Sequence, residues 1–172
     1  MMAFITEYPQ FFTASIFQKQ HLLKNDKYKD YIVDSLRFLV NQKRVRLFSF
    51  AIMSNHLHLI WQMQPLIHQS DVQRDFLKYT AQHFRHELSL TDTELLSHFR
   101  VDENDRIYRF WKRRPLSIEL RSHGVFRQKL EYIHSNPVKA GLCRLEENYH
   151  YSSARFYFTG VDNWGFLSHY NE

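Results

Sequence analysis

Two runs, Arg46 to Met53 (RLFSFAIM) and His56 to Met63 (HLHLIWQM), stand on either side of the dipeptide Ser54-Asn55. Both are rich in aromatic and aliphatic residues, as half-buried strands are. Two small polar residues leave no room for a crossover, so the runs predict an antiparallel hairpin. Every other element must be arranged around it.

Upstream, Gln10 to Phe17 (QFFTASIF) reads as a strand. Asp26 to Gln42 reads as a helix, with Asp26 as N-cap and Tyr31, Leu36, Leu39 and Val40 in its apolar stripe. Downstream, Asp71 to Leu88 predicts a second helix whose Val72, Phe76, Tyr79 and Phe84 face a sheet. Leu90 to Asp105 reads as a connection with a helical turn around Thr93 to Phe99. Arg106 to Arg113 (RIYRFWKR) and Leu116 to Arg121 are strand candidates split by Pro115, and Phe126 to Ser135 is a third helix that ends or kinks near Pro137.

The order is strand, helix, strand, strand, helix, strand, then a further helix. This predicts an α+β fold, the split βαβ of a ferredoxin-like antiparallel sheet with an added C-terminal helix. Two helices cover one sheet face, and the third can lie on the other. With 172 residues and only 4 Gly and 4 Pro, the expectation is one domain over 1–172 without long linkers. An aromatic-rich extension from about Tyr149 either packs back onto it or stacks on bases, and packing is the expectation.

A single cysteine, Cys143, excludes an internal disulfide and a multi-cysteine zinc site, and it fits a reducing cytoplasm. The opening residues lack the layout of a signal peptide, and no apolar run reaches the ~18 residues of a membrane span. A net charge of +5 with 16% aromatic residues suits phosphate neutralisation and base stacking, although it equally suits an ordinary basic protein.

His56 and His58 lie two apart in a predicted strand, so both imidazoles point to one sheet face and Leu57 to the other. Two neutral imidazoles so placed can share a divalent cation. With 11 histidines in the chain, chance alone supplies about 0.7 His-x-His triplets, so the pair needs company to carry weight. Tyr132 and Asn136 lie four apart on the third helix and share a face. A tyrosine there is either a nucleophile toward phosphorus or an amphipathic core residue. An asparagine before Pro137 is either a metal ligand or a helix-end residue.

The segments AIMSNHLHLIWQM, LEYIHSNPVKAGLC and YHYSSARFY, in this order, resemble those of REP-associated tyrosine transposases, insertion-sequence type enzymes of the His-hydrophobe-His endonuclease superfamily. The resemblance runs from about Phe11 to Tyr157. It implies that Tyr132 is the catalytic nucleophile and that His56, His58 and Asn136 hold Mg²⁺ or Mn²⁺. Hard cations prefer oxygen ligands, so such a site would be weak and exchangeable, tighter for Mn²⁺. The implied activity is metal-dependent cleavage and rejoining of single-stranded or hairpin DNA through a 5′-phosphotyrosine. The implied assembly is either a homodimer or a monomer with both motifs in cis. A domesticated hairpin-binding protein without catalysis is the alternative on the same fold. For DNA contact the candidates are Arg109, Lys112, Arg113 and Arg114, interleaved with Phe110 and Trp111, together with Lys129; the basic run reads equally as a solvated strand edge blunted by charge. Lys78, Arg85 and Lys139 are further basic candidates.

Overall fold

The computed structural model describes residues 8–171; what was expected of residues 1–7 lies outside them. Six strands and five helices follow one another: β1 (Gln10–Ser15), α1 (Asp26–Asn41), β2 (Val45–Ile52), β3 (His56–Met63), α2 (Gln69–Thr91), α3 (Thr93–Ser97), β4 (Arg100–Glu103), β5 (Arg106–Tyr108), β6 (Leu116–Glu119), α4 (His123–Lys139) and α5 (Ala154–Thr159). Short 3₁₀ turns join some of them.

Four strands form one antiparallel sheet in the order β2-β3-β1-β6. This is the ferredoxin-like arrangement expected from the element order. The β2–β3 hairpin closes at Ser54-Asn55, with Met53 N–H donating to the His56 carbonyl at 2.8 Å. α1 and α2 cover one face. Their Ile32, Leu36, Leu39, Val72, Phe76 and Phe84 meet Phe12, Leu47, Phe50, Leu59 and Trp61 of the sheet. Each such side chain, fully removed from water, contributes about 1.5–3 kcal/mol. α4 packs across β2 and β3 on the other face, where Phe126, Leu130 and Ile133 meet Phe11, Phe48, Ala51 and Ile60.

A bulge lets β2 serve both faces. Leu47 pairs with Trp61 and Ser49 with Ile60, so Phe48 is the extra residue. The inward alternation changes phase there, and Phe48 turns toward α4 while Leu47 and Phe50 stay under α1 and α2.

Several expectations need correction. The N-cap of α1 is Asn25, whose side chain accepts from Lys27 N–H; Asp26 is the first helical residue. Tyr79 is 38% exposed and does not face the sheet. The strand expected over Arg106 to Arg113 stops at Tyr108 and pairs with β4 in a separate two-stranded sheet. Beyond it, only Trp111 bridges to Ile16, and Lys112 N–H reaches the Ser15 carbonyl at 2.7 Å. α4 begins at His123, capped by Ser122, and continues two residues past Pro137.

The aromatic tail folds back, as expected. Tyr151 and Phe166 join the core on the α1 side, and Tyr157 and Tyr170 pack on the α4 side. The tail also satisfies the outer edge of β2. Ile52 N–H donates to the Tyr151 carbonyl at 2.9 Å, and Ser168 N–H to the Leu47 carbonyl at 2.9 Å. One sheet edge is thereby covered. No helix among the described residues is long and apolar enough to cross a membrane.

Candidate active site

Strand alternation puts His56 and His58 on the α4 face of β3. His58 stands opposite Thr13 of β1 on one side and Ala51 of β2 on the other. Its ring lies 4.8 Å, centroid to centroid, from that of His56 and 5.2 Å from that of Tyr132. Tyr132 descends from α4 and is 42% exposed, so it is not a core tyrosine. Its ring also meets Phe11 edge-on at 6.0 Å. Asn136, one turn further along α4, brings its side chain beside the His56 ring. The two sequence motifs, more than seventy residues apart, thus meet in one place.

Neighbouring groups orient the imidazoles. Asn55 Nδ2 donates to the Lys19 carbonyl at 3.3 Å, which fixes the amide and turns its Oδ1 toward His56. That oxygen lies 2.7 Å from His56 Nδ1 and can only accept, so Nδ1 carries the proton and Nε2 keeps its lone pair. Thr13 Oγ1 lies 2.7 Å from His58 Nδ1. His58 Nε2 is buried without a partner. Protonating Nδ1 lets Thr13 accept and leaves Nε2 as a lone pair; the other tautomer would bury an orphan N–H, which is rarer in folded proteins.

Both rings are held neutral. Burial lowers the His58 pKa to about 3, assisted by the Lys129 ammonium and by the cost of charging two adjacent imidazoles together. Burial also lowers that of His56, with the Asn136 side chain opposing it. Lys129, one turn before Tyr132, sets its ammonium 4.8 Å from the Phe11 ring centroid and 5.8 Å from that of Tyr132. It therefore borders the site, which its place in the sequence alone did not reveal.

Sequence reasoning also missed His134, which anchors the helix carrying Tyr132. Its Nε2 lies 2.8 Å from Ser153 Oγ and 3.4 Å from Ser49 Oγ, and Ser153 Oγ accepts from Phe50 N–H at 3.0 Å. Burial lowers its pKa to about 4. His58 and His134 are thus both weaker bases in the folded protein than in the unfolded chain, where the value is about 6.5. Below that value the unfolded chain takes up protons that the native state refuses. Stability is fully present above about pH 6.5 and falls as pH drops toward the folded values. From about pH 6.5 to about pH 5, each group removes roughly 2 kcal/mol. Urea denaturation at about pH 7.5 and about pH 5 checks this: the midpoint is expected to be clearly lower at the acid value, and equal midpoints would refute it.

The basic run is less open than expected. Arg109 is buried and ion-paired with Glu103, which also holds Arg113 at 3.0 Å. Arg109 is therefore a strut of the β4–β5 hairpin, not a surface cation. Phe110 and Trp111 are core residues as well, with Trp111 Nε1–H donating to Thr80 Oγ1 at 2.9 Å, so neither offers a face for stacking. Lys112, Arg113 and Arg114 line a groove of about 880 Å³ between α2 and this segment, together with Lys78, Arg85 and Arg106. Arg85 lies over the Tyr108 ring at 5.0 Å. Among the described residues no three His, Cys, Asp or Glu side chains cluster as metal ligands; an asparagine amide beside two histidines falls outside that description.

The family model for IS200-like transposases matches residues 12–100, which span β1 to the start of β4 and include His56 and His58. The chain belongs to this family. Tyr132 and Asn136 of this IS200-like transposase lie beyond the matched stretch. Its fold is similar to that of a REP-associated tyrosine transposase solved bound to a REP hairpin, with a TM-score of 0.64 and 17% identity, covering 98% of this chain and 90% of that one. A candidate transposase from Deinococcus radiodurans is 16% identical over 77% of this chain and 93% of its own, with a TM-score of 0.48. No curated protein matches the chain significantly.

Proposed function

We propose that this IS200-like transposase is a metal-dependent single-strand endonuclease and strand transferase of the REP-associated kind, with Tyr132 as its nucleophile. The observation that carries this is the exposed Tyr132 ring 5.2 Å from His58, beside a second imidazole and an amide.

The donor set fits a divalent cation. It comprises two neutral imidazoles, an orphan buried His58 Nε2, ring orientations held by Thr13 and Asn55, and the Asn136 side chain beside them. His56, His58 and Asn136 would hold Mg²⁺ or Mn²⁺. When bound, the cation offsets phosphate charge and orients the phosphate oxygens.

The remaining chemistry belongs to the chain. The Tyr132 oxygen attacks phosphorus in line; the new bond is phenolic O–P, and the bond broken is that to the 3′ oxygen. The phenol loses one proton and the departing 3′ oxygen gains one. The ester retained on the protein lets a second 3′-hydroxyl reverse the step without ATP. Lys129 lies where its charge can meet the phosphate, while Lys112, Arg113 and Arg114 offer contacts to the DNA backbone. Arg109 has no part in this.

The test uses a labelled oligonucleotide with a hairpin and single-stranded flanks, incubated with Mn²⁺ and run on a denaturing gel. A protein-shifted covalent band is expected. Free cleaved DNA without that band would mean a metal-activated water instead, and binding without cleavage would mean a non-catalytic hairpin binder.

A further inference from the structure

The apolar side of β6 faces away from the helix layer that usually covers such residues. Ser117 turns toward α2, where its hydroxyl lies 2.6 Å from Gln69 Nε2, and it donates to Gln10 Oε1 at 3.3 Å. Leu116 and Ile118 point the opposite way. Leu116 stands opposite Thr13, which stands opposite His58; Ile118 stands opposite Phe11, which stands opposite Ile60. Directly opposed residues share a face, so both lie on the side that carries the imidazoles. α4 covers β2 and β3 but leaves this margin open, and Leu116 and Ile118 are 51% and 38% exposed. Val125, Lys129 and Tyr132 line the facing stripe of α4 at helical spacing. An apolar strip with one cation thus runs beside the proposed nucleophile. Leu116 lies two strand spacings, about 10 Å, from His58.

We infer that this strip seats the unpaired base next to the scissile phosphate, an inference that rests on the function proposed above. A single-stranded nucleotide has the matching pattern, an apolar base face beside an anionic phosphate. Leu116 and Ile118 take the face, and Lys129 takes the charge. Lys112, Arg113 and Arg114 stand just before β6 in the groove against α2, so the strand reaches these cations by passing round the open sheet edge. Aliphatic side chains offer no hydrogen bonds to a base edge. The seat therefore detects that a base is present and unpaired, not which base it is.

The test compares the protein with its Leu116→Ser/Ile118→Ser variant, both of whose changes are on exposed positions. Binding to a fluorescent hairpin with single-stranded flanks is followed by anisotropy in EDTA, while one abasic site is walked along each flank. Expected is one position, or two adjacent ones, where the abasic site weakens wild-type binding about tenfold. The variant should lose about tenfold on the intact flank and nothing further at that position. Both proteins should bind the stem alone equally. Equal weakening on every probe, or none, would overturn the seat. So would a wild-type dimer that the double variant converts to a monomer, because the strip would then join two copies. Failure of the covalent band in Mn²⁺ would overturn the catalytic proposal and leave this metal-free comparison readable.

Discussion

Tyr132→Phe is expected to abolish the covalent protein–DNA band and to lower cleavage by roughly 10⁴-fold or more, the scale on which nucleophile deletions fall. The change removes one oxygen. The ring contacts to His58 and Phe11 do not use that oxygen, and the side chain is 42% exposed. Stability should therefore change by no more than about 0.5 kcal/mol. Hairpin affinity should stay within about twofold, since phosphate and base contacts are untouched. Loss of the band with full retention of binding separates a nucleophile from a tyrosine that merely shapes the site. A variant that still forms the band would move the nucleophile to another residue. A variant that binds poorly would make Tyr132 part of the DNA surface and leave its chemistry unsupported.

The parts of this site that follow from local periodicity were visible in the sequence. Alternation alone put His56 and His58 on one side of a strand, and a four-residue spacing put Tyr132 and Asn136 on one side of a helix. The β2–β3 hairpin was fixed by two polar residues between apolar runs. What was hidden depends on register. Thr13 orients His58 across 45 residues of sequence, and nothing near Thr13 announces that pairing. The same holds for His134, whose partners Ser49 and Ser153 lie 104 residues apart in the sequence. Phe48 looked like any strand residue, because a bulge is a property of two strands together. The β4–β5 hairpin escaped because RVDE carries almost no apolar signal; its order comes from Glu103 gathering Arg109 and Arg113. That acidic residue also explains why a run of basic side chains misled. A charge reads as exposed until its counter-ion is found, and here the counter-ion lies in the segment read as connection. Asn25 and Asp26 can both cap a helix, so the sequence alone could not choose between them.

His58→Leu is expected to raise the stability of the metal-free protein while removing catalysis, two effects of opposite sign from one substitution. His58 Nε2 is buried without a protein partner, and burial holds the ring neutral with a pKa of about 3. Such an orphan costs about 1–3 kcal/mol, and leucine fills a similar space without it. Thr13 loses its ring partner but is only half-buried, so water can replace the bond. The urea midpoint without metal should therefore rise by about 1 kcal/mol equivalent. The same variant has one imidazole left, so added Mn²⁺ should raise the melting temperature of the wild type and not of the variant. Its rate of strand cleavage should fall by at least about 10²-fold, the loss expected when charge stabilisation at the reacting phosphate is removed. A histidine kept for packing behaves in the reverse way: its replacement lowers stability and leaves the Mn²⁺ response unchanged. The thermal scan with and without Mn²⁺ tells these apart before any DNA is added. A variant that is less stable without metal and equally responsive to it would remove His58 from the proposed ligand set.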